Sequence, residues 1–255
     1  MISKNKIRQI KSLESKKGRD IQGFFVAEGP KVVGDILAKH HTKARIIIAI
    51  EGWFKNEGFK TDLSQCETII VNEEELAKVS FQKHPQQVLA VFEKIDIKDD
   101  SVDYNNALTI VLDGVQDPGN LGTIVRIADW FGIGNIICSP NTADIYNPKV
   151  VQATMGSIAR VNVKYMSLDT FFDSLHPSTP VYGTLLEGKN MYETKLTNNG
   201  IIIMGNEGKG ISHNIRQRIT NAIRIPNYPE QRDTADSLNV AIATAIVCAE
   251  FRKNK

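Results

Sequence analysis

The chain has 255 residues, 42% of them hydrophobic and 24% charged, values that exclude a disordered, collagen-like or low-complexity protein and allow one to two domains with cores of their own. Cys66, Cys138 and Cys248 lie far apart and form neither a disulfide framework nor a zinc motif, and no apolar run reaches the length of a membrane span. The start, MISKNKIRQIK, has charge but no apolar stretch behind it, so a cytoplasmic protein without a membrane segment is expected.

The net charge of +2 conceals an asymmetry: residues 1–45 hold 11 basic and 4 acidic side chains, +7, against 20 and 25, or −5, in the remainder. A basic block of that size is either a nucleic-acid footprint, with Lys4, Lys6, Arg8 and Lys11 as candidate phosphate contacts, or a solvated helical face. Charge alone does not separate the two.

Taken in chain order, Ile2, Ile7, Ile10 and Leu13 fall near helical spacing, and 24–26 read as a short strand. Gly29-Pro30 opens a helix through Leu37. Strands follow at 45–50 and 67–71, then a helix at 72–79 capped by Asn72, and a strand at 88–92. These elements make a small α/β unit. Residues 93–106, EKIDIKDDSVDYNN, are polar without an apolar face and read as a linker, which places the domains at 1–100 and 107–255.

The second half alternates strands at 108–112, 135–138, 161–165, 181–184, 201–204 and 222–225 with helical stretches such as 121–131 and 148–158. Alternation of this kind predicts an α/β fold with a buried, mostly parallel sheet, whose ligands sit at the carboxyl ends of the strands.

Three loops at such ends stand out. In LDGVQDPGNLGTIVR, 112–126, a turn follows the strand and a helix is expected near Gly122, with Arg126 about one turn into it; Asp117-Pro118-Gly119-Asn120 by itself would be an ordinary β-turn. In GNEGKGIS, 205–212, three glycines permit a sharp turn or close approach to a ligand, with Ser212 capping a helix through Ile219. That loop is not a Walker A sequence, and no GxGxxG follows a strand. In the third region Ile225-Pro226 precedes a polar segment and then Ser237-Leu238-Asn239, which leads into a terminal helix capped by Asp236 or Ser237.

Other chemistries lack their residues. There is no GxSxG elbow, no HExxH and no His/Cys ligand spacing. His40 and His41 read as surface residues, His84, His176 and His213 are scattered, and Ser157 has no visible base.

Together, VQDPGNLGTIVRIADWFGI at 115–133, IIIMGNEGKGIS at 201–212, and IRIP at 223–226 with SLNVAIATAI at 237–246 resemble, in order and spacing, the three motifs of the SpoU (TrmH-like) RNA methyltransferases of the SPOUT class. NPKVVQATMGSIARV at 147–161 is similar to the segment those enzymes carry between their first two motifs. FFVAEGPKVV at 24–33 resembles their amino-terminal substrate-binding domain, related in fold to ribosomal protein L30e.

The resemblance implies an L30e-like α/β domain followed by an α/β domain with a trefoil knot, a feature that no local pattern signals. It implies 2′-O-methylation of a ribose in structured RNA, rRNA ahead of tRNA, using S-adenosylmethionine, without a metal and with a homodimer completing the site. The implied donor contacts are Thr184, Leu185, Gly205, Ile225 and Leu238, and the implied catalytic set is Asn120, Arg126, Glu207, Ser237 and Asn239. A guanidinium keeps its proton beyond about pH 12, so Arg126 is assigned to orienting phosphate and stabilising oxyanion character rather than to proton removal. Two departures stand out: the 227–236 segment NYPEQRDTAD is longer than the link usual in the family, and Ser157 replaces a small apolar residue. The alternatives are a non-catalytic RNA-binding or ribosome-assembly factor on the same fold and, less well served by a basic RNA-type domain, a small-molecule methyltransferase.

Overall fold

A computed structural model describes residues 2–39, 42–56, 63, 65–95, 103–229, 232 and 235–253. His40, His41, positions 96–102 of the expected linker, and positions 230, 231, 233 and 234 of the long polar segment lie outside the described residues. The chain divides into two compact units: Met1–Ile97 with Asp144–Arg160, and Lys98–Ala143 with Val161–Lys255.

The first unit opens with α1 (Lys4–Ser12), α2 (Lys16–Gln22), β1 (Phe24–Glu28), α3 (Pro30–Lys39), β2 (Ala44–Ala49), α4 (Glu51–Asn56), β3 (Glu67–Ile70), α5 (Glu73–Val79) and β4 (Val88–Glu93). Its mixed sheet runs β1-β4-β2-β3, with only β2 and β3 parallel. Asn72 caps α5 in a capping box with Glu75, as expected from its place before a helical pattern.

The short helices α2 and α4 were not foreseen. Ser15 caps α2, and Gly18 lies so close to the Ser12 carbonyl that a Cβ there would sit 1.9 Å from its oxygen. Glycine at 18 is thus a packing requirement that helical periodicity does not register. Ile10, Leu13, Val26, Ile48, Leu76 and Leu89 form the centre of the core on one face of this sheet.

Residues 144–160 complete this unit, carrying α7 (Pro148–Ala153) and a 3-10 turn at Ser157–Ala159 where a single helix over 148–158 was expected. Met155 at φ 51° and Gly156 at φ 91° break the helix. Arg19, 2% exposed, holds the segment in place: Nη1 donates to the carbonyls of Leu13 and Glu14 at 2.9 and 2.7 Å, while Nε and Nη2 donate to Asp144 Oδ2 at 3.1 and 2.6 Å.

The second unit contains β5 (Leu108–Asp113), α6 (Pro118–Trp130), β6 (Asn135–Cys138), β7 (Asn162–Tyr165), α8 (Leu168–Asp173), β8 (Val181–Asn190), β9 (Gly200–Gly205), α9 (His213–Arg216), β10 (Asn221–Arg224) and α10 (Val240–Arg252). Its six strands lie in the order β10-β8-β9-β5-β6-β7 and every neighbouring pair is parallel. Val111, Ile201 and Ile203 face α8 and α9, packing with Phe171, Phe172 and Ile215. On the opposite face α6 packs against β6 and α10, and α10 against β9. Strands buried on both faces read as continuous apolar runs, and this is why 108–112 and 201–204 were legible.

Several boundaries differ from expectation. α6 begins at Pro118, not near Gly122: Asp117 accepts a hydrogen bond from the Asn120 N–H at 2.8 Å and proline occupies the first turn, so the expected β-turn is the start of the helix. The terminal helix is capped by Asn239, not by Asp236 or Ser237. α9 stops at Arg216, short of Ile219, and Ser212 precedes it without a side-chain cap.

β8 runs to Asn190, well beyond the expected end at Thr184. Its pairing with β10 jumps from Ala222↔Gly183 to Ile223↔Lys189, so 184–188 leave the ladder and return. Gly188 allows the return, since a Cβ there would sit 2.4 Å from the Ile223 carbonyl carbon.

Candidate active site

Because all six strands of the second unit are parallel, their carboxyl ends share one edge, the place where ligands bind in such sheets. Residues 114–117 and the first turn of α6, which carries Asn120, follow β5 there, and the 205–212 loop leaves neighbouring β9. The two are tied at three levels: the Ser212 N–H donates to Asp113 Oδ2 at 2.7 Å, Asn206 Nδ2 donates to the Gly114 carbonyl at 2.7 Å, and Asn120 Nδ2 donates to Glu207 Oε1 at 2.9 Å. Sequence reasoning singled out Asn120 and Glu207 but missed Asp113 and Asn206, whose only signal was their position inside the loops.

Asn239 brings in the third loop. Its Oδ1 accepts from the N–H groups of Ala241 and Ile242 at 3.0 and 3.3 Å, and its Nδ2 donates to Asn120 Oδ1 at 2.9 Å. The direction of this chain is forced at both ends. Helix amides can only donate, so Asn239 must present its oxygen to α10 and its nitrogen to Asn120. Asn120 then turns its own nitrogen to the Glu207 carboxylate, which can only accept.

The structure thus links three of the five expected catalytic residues, Asn120, Glu207 and Asn239. Ser237, two positions before Asn239, is exposed and makes no hydrogen bond among the described residues.

Arg126 stands apart from this chain. With α6 starting at Pro118, it lies more than two turns into the helix rather than about one, a distance of roughly 12 Å along the axis. Its side chain is exposed and has neither ion pair nor hydrogen bond among the described residues. Trp130, one turn further on, is 85% exposed.

Of the expected donor-binding residues, Thr184 and Leu185 lie within β8, Gly205 ends the neighbouring β9, Ile225 follows β10, and Leu238 precedes the Asn239 cap of α10. The Thr184 hydroxyl is engaged within the sheet, donating to the Ile203 carbonyl at 3.0 Å, and Leu185 is half-buried against the core beneath. Gly205 closes β9 where the chain doubles back, so that a Cβ would lie 2.4 Å from the Gly210 carbonyl carbon. Ile225 is half-buried and Leu238 is 51% exposed. Backbone groups at adjacent strand ends with apolar side chains around them suit a nucleoside ligand.

The cysteine thiols are poor candidates for nucleophiles. Burial pushes Cys138 and Cys248 well above the ordinary thiol range, and partial burial beside Glu67 raises Cys66 to about 11. Among the described residues no cluster of three His, Cys, Asp or Glu side chains could hold a metal ion.

Comparison with known proteins gives the family and the fold. Residues 107–249 match the SpoU rRNA Methylase family, and residues 4–90 match the MRM3-like substrate binding domain. A Bacillus subtilis (strain 168) protein named 23S rRNA (guanosine(2553)-2'-O)-methyltransferase RlmP is 30% identical over 249 residues, covering 97% of this chain and 96% of that protein.

Among solved structures, a putative RNA methyltransferase of the TrmH family from Porphyromonas gingivalis superposes with a TM-score of 0.86 at 37% identity, over 100% of both chains. An AdoMet-bound rRNA methyltransferase from Sinorhizobium meliloti gives 0.86 at 30% identity, over 99% of this chain and 97% of that one.

Proposed function

The chain belongs to the SpoU rRNA Methylase family, and from that premise we propose that it methylates a ribose 2′-hydroxyl of ribosomal RNA, with S-adenosylmethionine as donor. The observation that carries this reading is the directed chain from Asn239 through Asn120 to Glu207, set at the carboxyl ends of the parallel strands β5 and β9. The donor, when bound, supplies a sulfonium methyl open to in-line displacement. Thr184, Leu185, Gly205, Ile225 and Leu238 would hold it, with Leu185, Ile225 and Leu238 offering apolar walls and the strand-end backbone offering polar contacts.

Positioning is the main task of the protein groups, since aligning two reactants removes much of the barrier to a bimolecular transfer. Glu207 and Asn239 order the two loops around Asn120, and Ser237 has a free hydroxyl at the start of the third. Arg126 orients an RNA phosphate and stabilises negative charge developing on the ribose oxygen.

In one protomer Arg126 lies outside the hydrogen-bonded chain, so the reading includes a homodimer that completes the site. Trp130 on α6 with Leu238 and Ile242 at the start of α10, each at least half exposed, supply apolar surface for that contact. The chain reaches α10 from β10 at the sheet edge yet packs that helix on β9 and α6, which supports the family's knotted path. The domains in this reading are an RNA-binding region at 1–100 and a catalytic region at 107–255, and the protein acts in the cytoplasm.

The test is to incubate the protein with labelled S-adenosylmethionine and separated rRNA and tRNA fractions, then map the modified nucleotide. Label on a ribose of rRNA is expected, and Arg126→Ala should abolish transfer while sparing donor affinity. Label confined to base atoms, or full activity in Arg126→Ala, would contradict the assignment. No measurable donor affinity in the wild type would favour a non-catalytic RNA-binding factor.

A further inference from the structure

We propose that Asn206 is a positioning residue for methyl transfer, holding Glu207 at the height of Asn120 by fastening the 205–212 loop to the Gly114 carbonyl. The inference rests on the function proposed above. Glu207 is exposed and sits at the tip of a tight turn in which Asn206 and Gly210 exchange backbone hydrogen bonds at 3.0 and 2.9 Å. A carboxylate in that position keeps several rotamers open, and only its bond to Asn120 selects one.

Asn206 acts on the turn in two separable ways. Its Oδ1 accepts from the N–H groups of Gly208 and Lys209 at 3.0 and 2.9 Å, an arrangement that shapes the turn from within. Its Nδ2 donates to the Gly114 carbonyl, 92 positions earlier in the chain and at the start of the connection that leads to Asn120 in the first turn of α6. The first function could be met by any turn-forming side chain, but the second needs a donor at amide length.

Gly114 is fitted to receive that donor. It lies at φ 72°, a conformation that glycine adopts freely, and a Cβ there would meet Asn141 Nδ2 at 2.9 Å and Asn206 Cβ at 3.8 Å. The deeper tie from Ser212 to Asp113 fixes the far end of the 205–212 loop. Without the Asn206 tie, the Asn120 bond is the one remaining hydrogen bond, among the described residues, between the turn 206–210 and residues 114–120, the Ser212–Asp113 tie and the Asp113–Gly205 pairing holding only the two ends of the loop.

The distinguishing variant is Asn206→Ser, which keeps a neutral acceptor for the turn amides and cannot reach Gly114. Expected are a kcat lowered between about 10-fold and 100-fold, as for misplacement of a catalytic group, with donor affinity nearly unchanged. In a Glu207→Ala background, where no side chain accepts from Asn120, the same substitution should lower kcat no further, because Asn206 acts through Glu207. A kcat equal to wild type, or losses that multiply across the double variant, would overturn the proposal.

A readout independent of the reaction is the side-chain amide resonance of Asn120 in the intact protein. It should shift or broaden in Asn206→Ser, and an unchanged resonance counts against the tie whatever the protein methylates. A wild type without transferase activity would instead refute the proposed function and leave the resonance test to decide the role of Asn206.

Discussion

Asn239 has two jobs on two faces of one amide, and a single substitution can separate them. Its oxygen caps α10 through Ala241 and Ile242, and its nitrogen starts the chain to Asn120 and Glu207. Asn239→Ala removes both. Loss of such a cap costs about 1 kcal/mol, and loss of a solvent-accessible amide bond costs about another 0.5 kcal/mol. A total near 1.5 kcal/mol corresponds to a fall in Tm of roughly 3–6 °C in a unit of this size.

Asn239→Asp keeps the acceptor toward the helix amides and adds a negative charge at a helix N-terminus, a change worth about 0.3–1 kcal/mol in its favour. It also turns a carboxylate oxygen toward Asn120 Oδ1, where a donor stood. Asn120 can relieve that clash only by flipping, which would set its carbonyl against the Glu207 carboxylate.

We therefore expect Asn239→Asp to melt within about 1 °C of the wild type or slightly above it, from the helix-terminus term. Single-turnover methyl transfer should nonetheless fall about 10-fold to 100-fold. The measurements are thermal unfolding followed by circular dichroism and transfer from a labelled donor to rRNA at saturating donor. Wild-type transfer in Asn239→Asp would refute the directed chain as a functional element, and equal destabilisation in both variants would refute the capping argument.

Three further outcomes are expected. Arg19→Ala leaves the carbonyls of Leu13 and Glu14 and the Asp144 carboxylate without their donor, and should destabilise the first unit by about 3–5 kcal/mol in denaturant titration; a loss under about 1 kcal/mol would mean that water replaces the guanidinium. Burial raises the Glu28 carboxyl above its ordinary value, against the hydrogen bonds from Ser80 and the Phe81 N–H. Its contribution is therefore fully present below the unfolded value near 4.5 and is lost as pH rises through the higher folded value; the stability of wild type should fall relative to that of Glu28→Gln as pH rises across that window, and parallel profiles would dismiss the effect. Finally, changing Lys4, Arg8, Lys16 and Lys17 to glutamine should weaken rRNA binding and reduce its salt dependence by about one unit of slope per lost phosphate contact. Those four are exposed, whereas Lys6 is paired with Glu67 and Lys11 with the Ser80 carbonyl, so single changes at Lys6 or Lys11 should act mainly on stability; unchanged affinity in the quadruple variant would make that face merely solvated.

What could be read directly from the sequence was local in origin. Strands buried on both faces announce themselves as apolar runs, as at 108–112 and 201–204, and the Asn72 cap follows from side-chain chemistry within four residues. The expected catalytic and donor-type residues were singled out because three loops follow three such strands and together resemble a known set of motifs. Even there, local signals erred where two were available: Pro118-Gly119 suits a turn as well as a first helical turn, and Ser237 suits a cap as well as Asn239 does.

What only the tertiary structure decided involves partners remote in the chain. Asn120 and Glu207 are 87 positions apart, Asn239 and Asn120 are 119 apart, and Arg19 and Asp144 are 125 apart. No periodicity carries information over such spans. Residues 144–160 sit inside the stretch that matches the methylase family, yet fold with the first unit because a buried guanidinium requires the Asp144 carboxylate there. Likewise β8 continues past Thr184 only because Gly188 lets the Ile223 backbone approach, a condition set by a strand that follows more than thirty residues later. Local propensity names the elements; the pairing of groups that cannot be buried alone decides which elements meet, and with them where Glu207 is held.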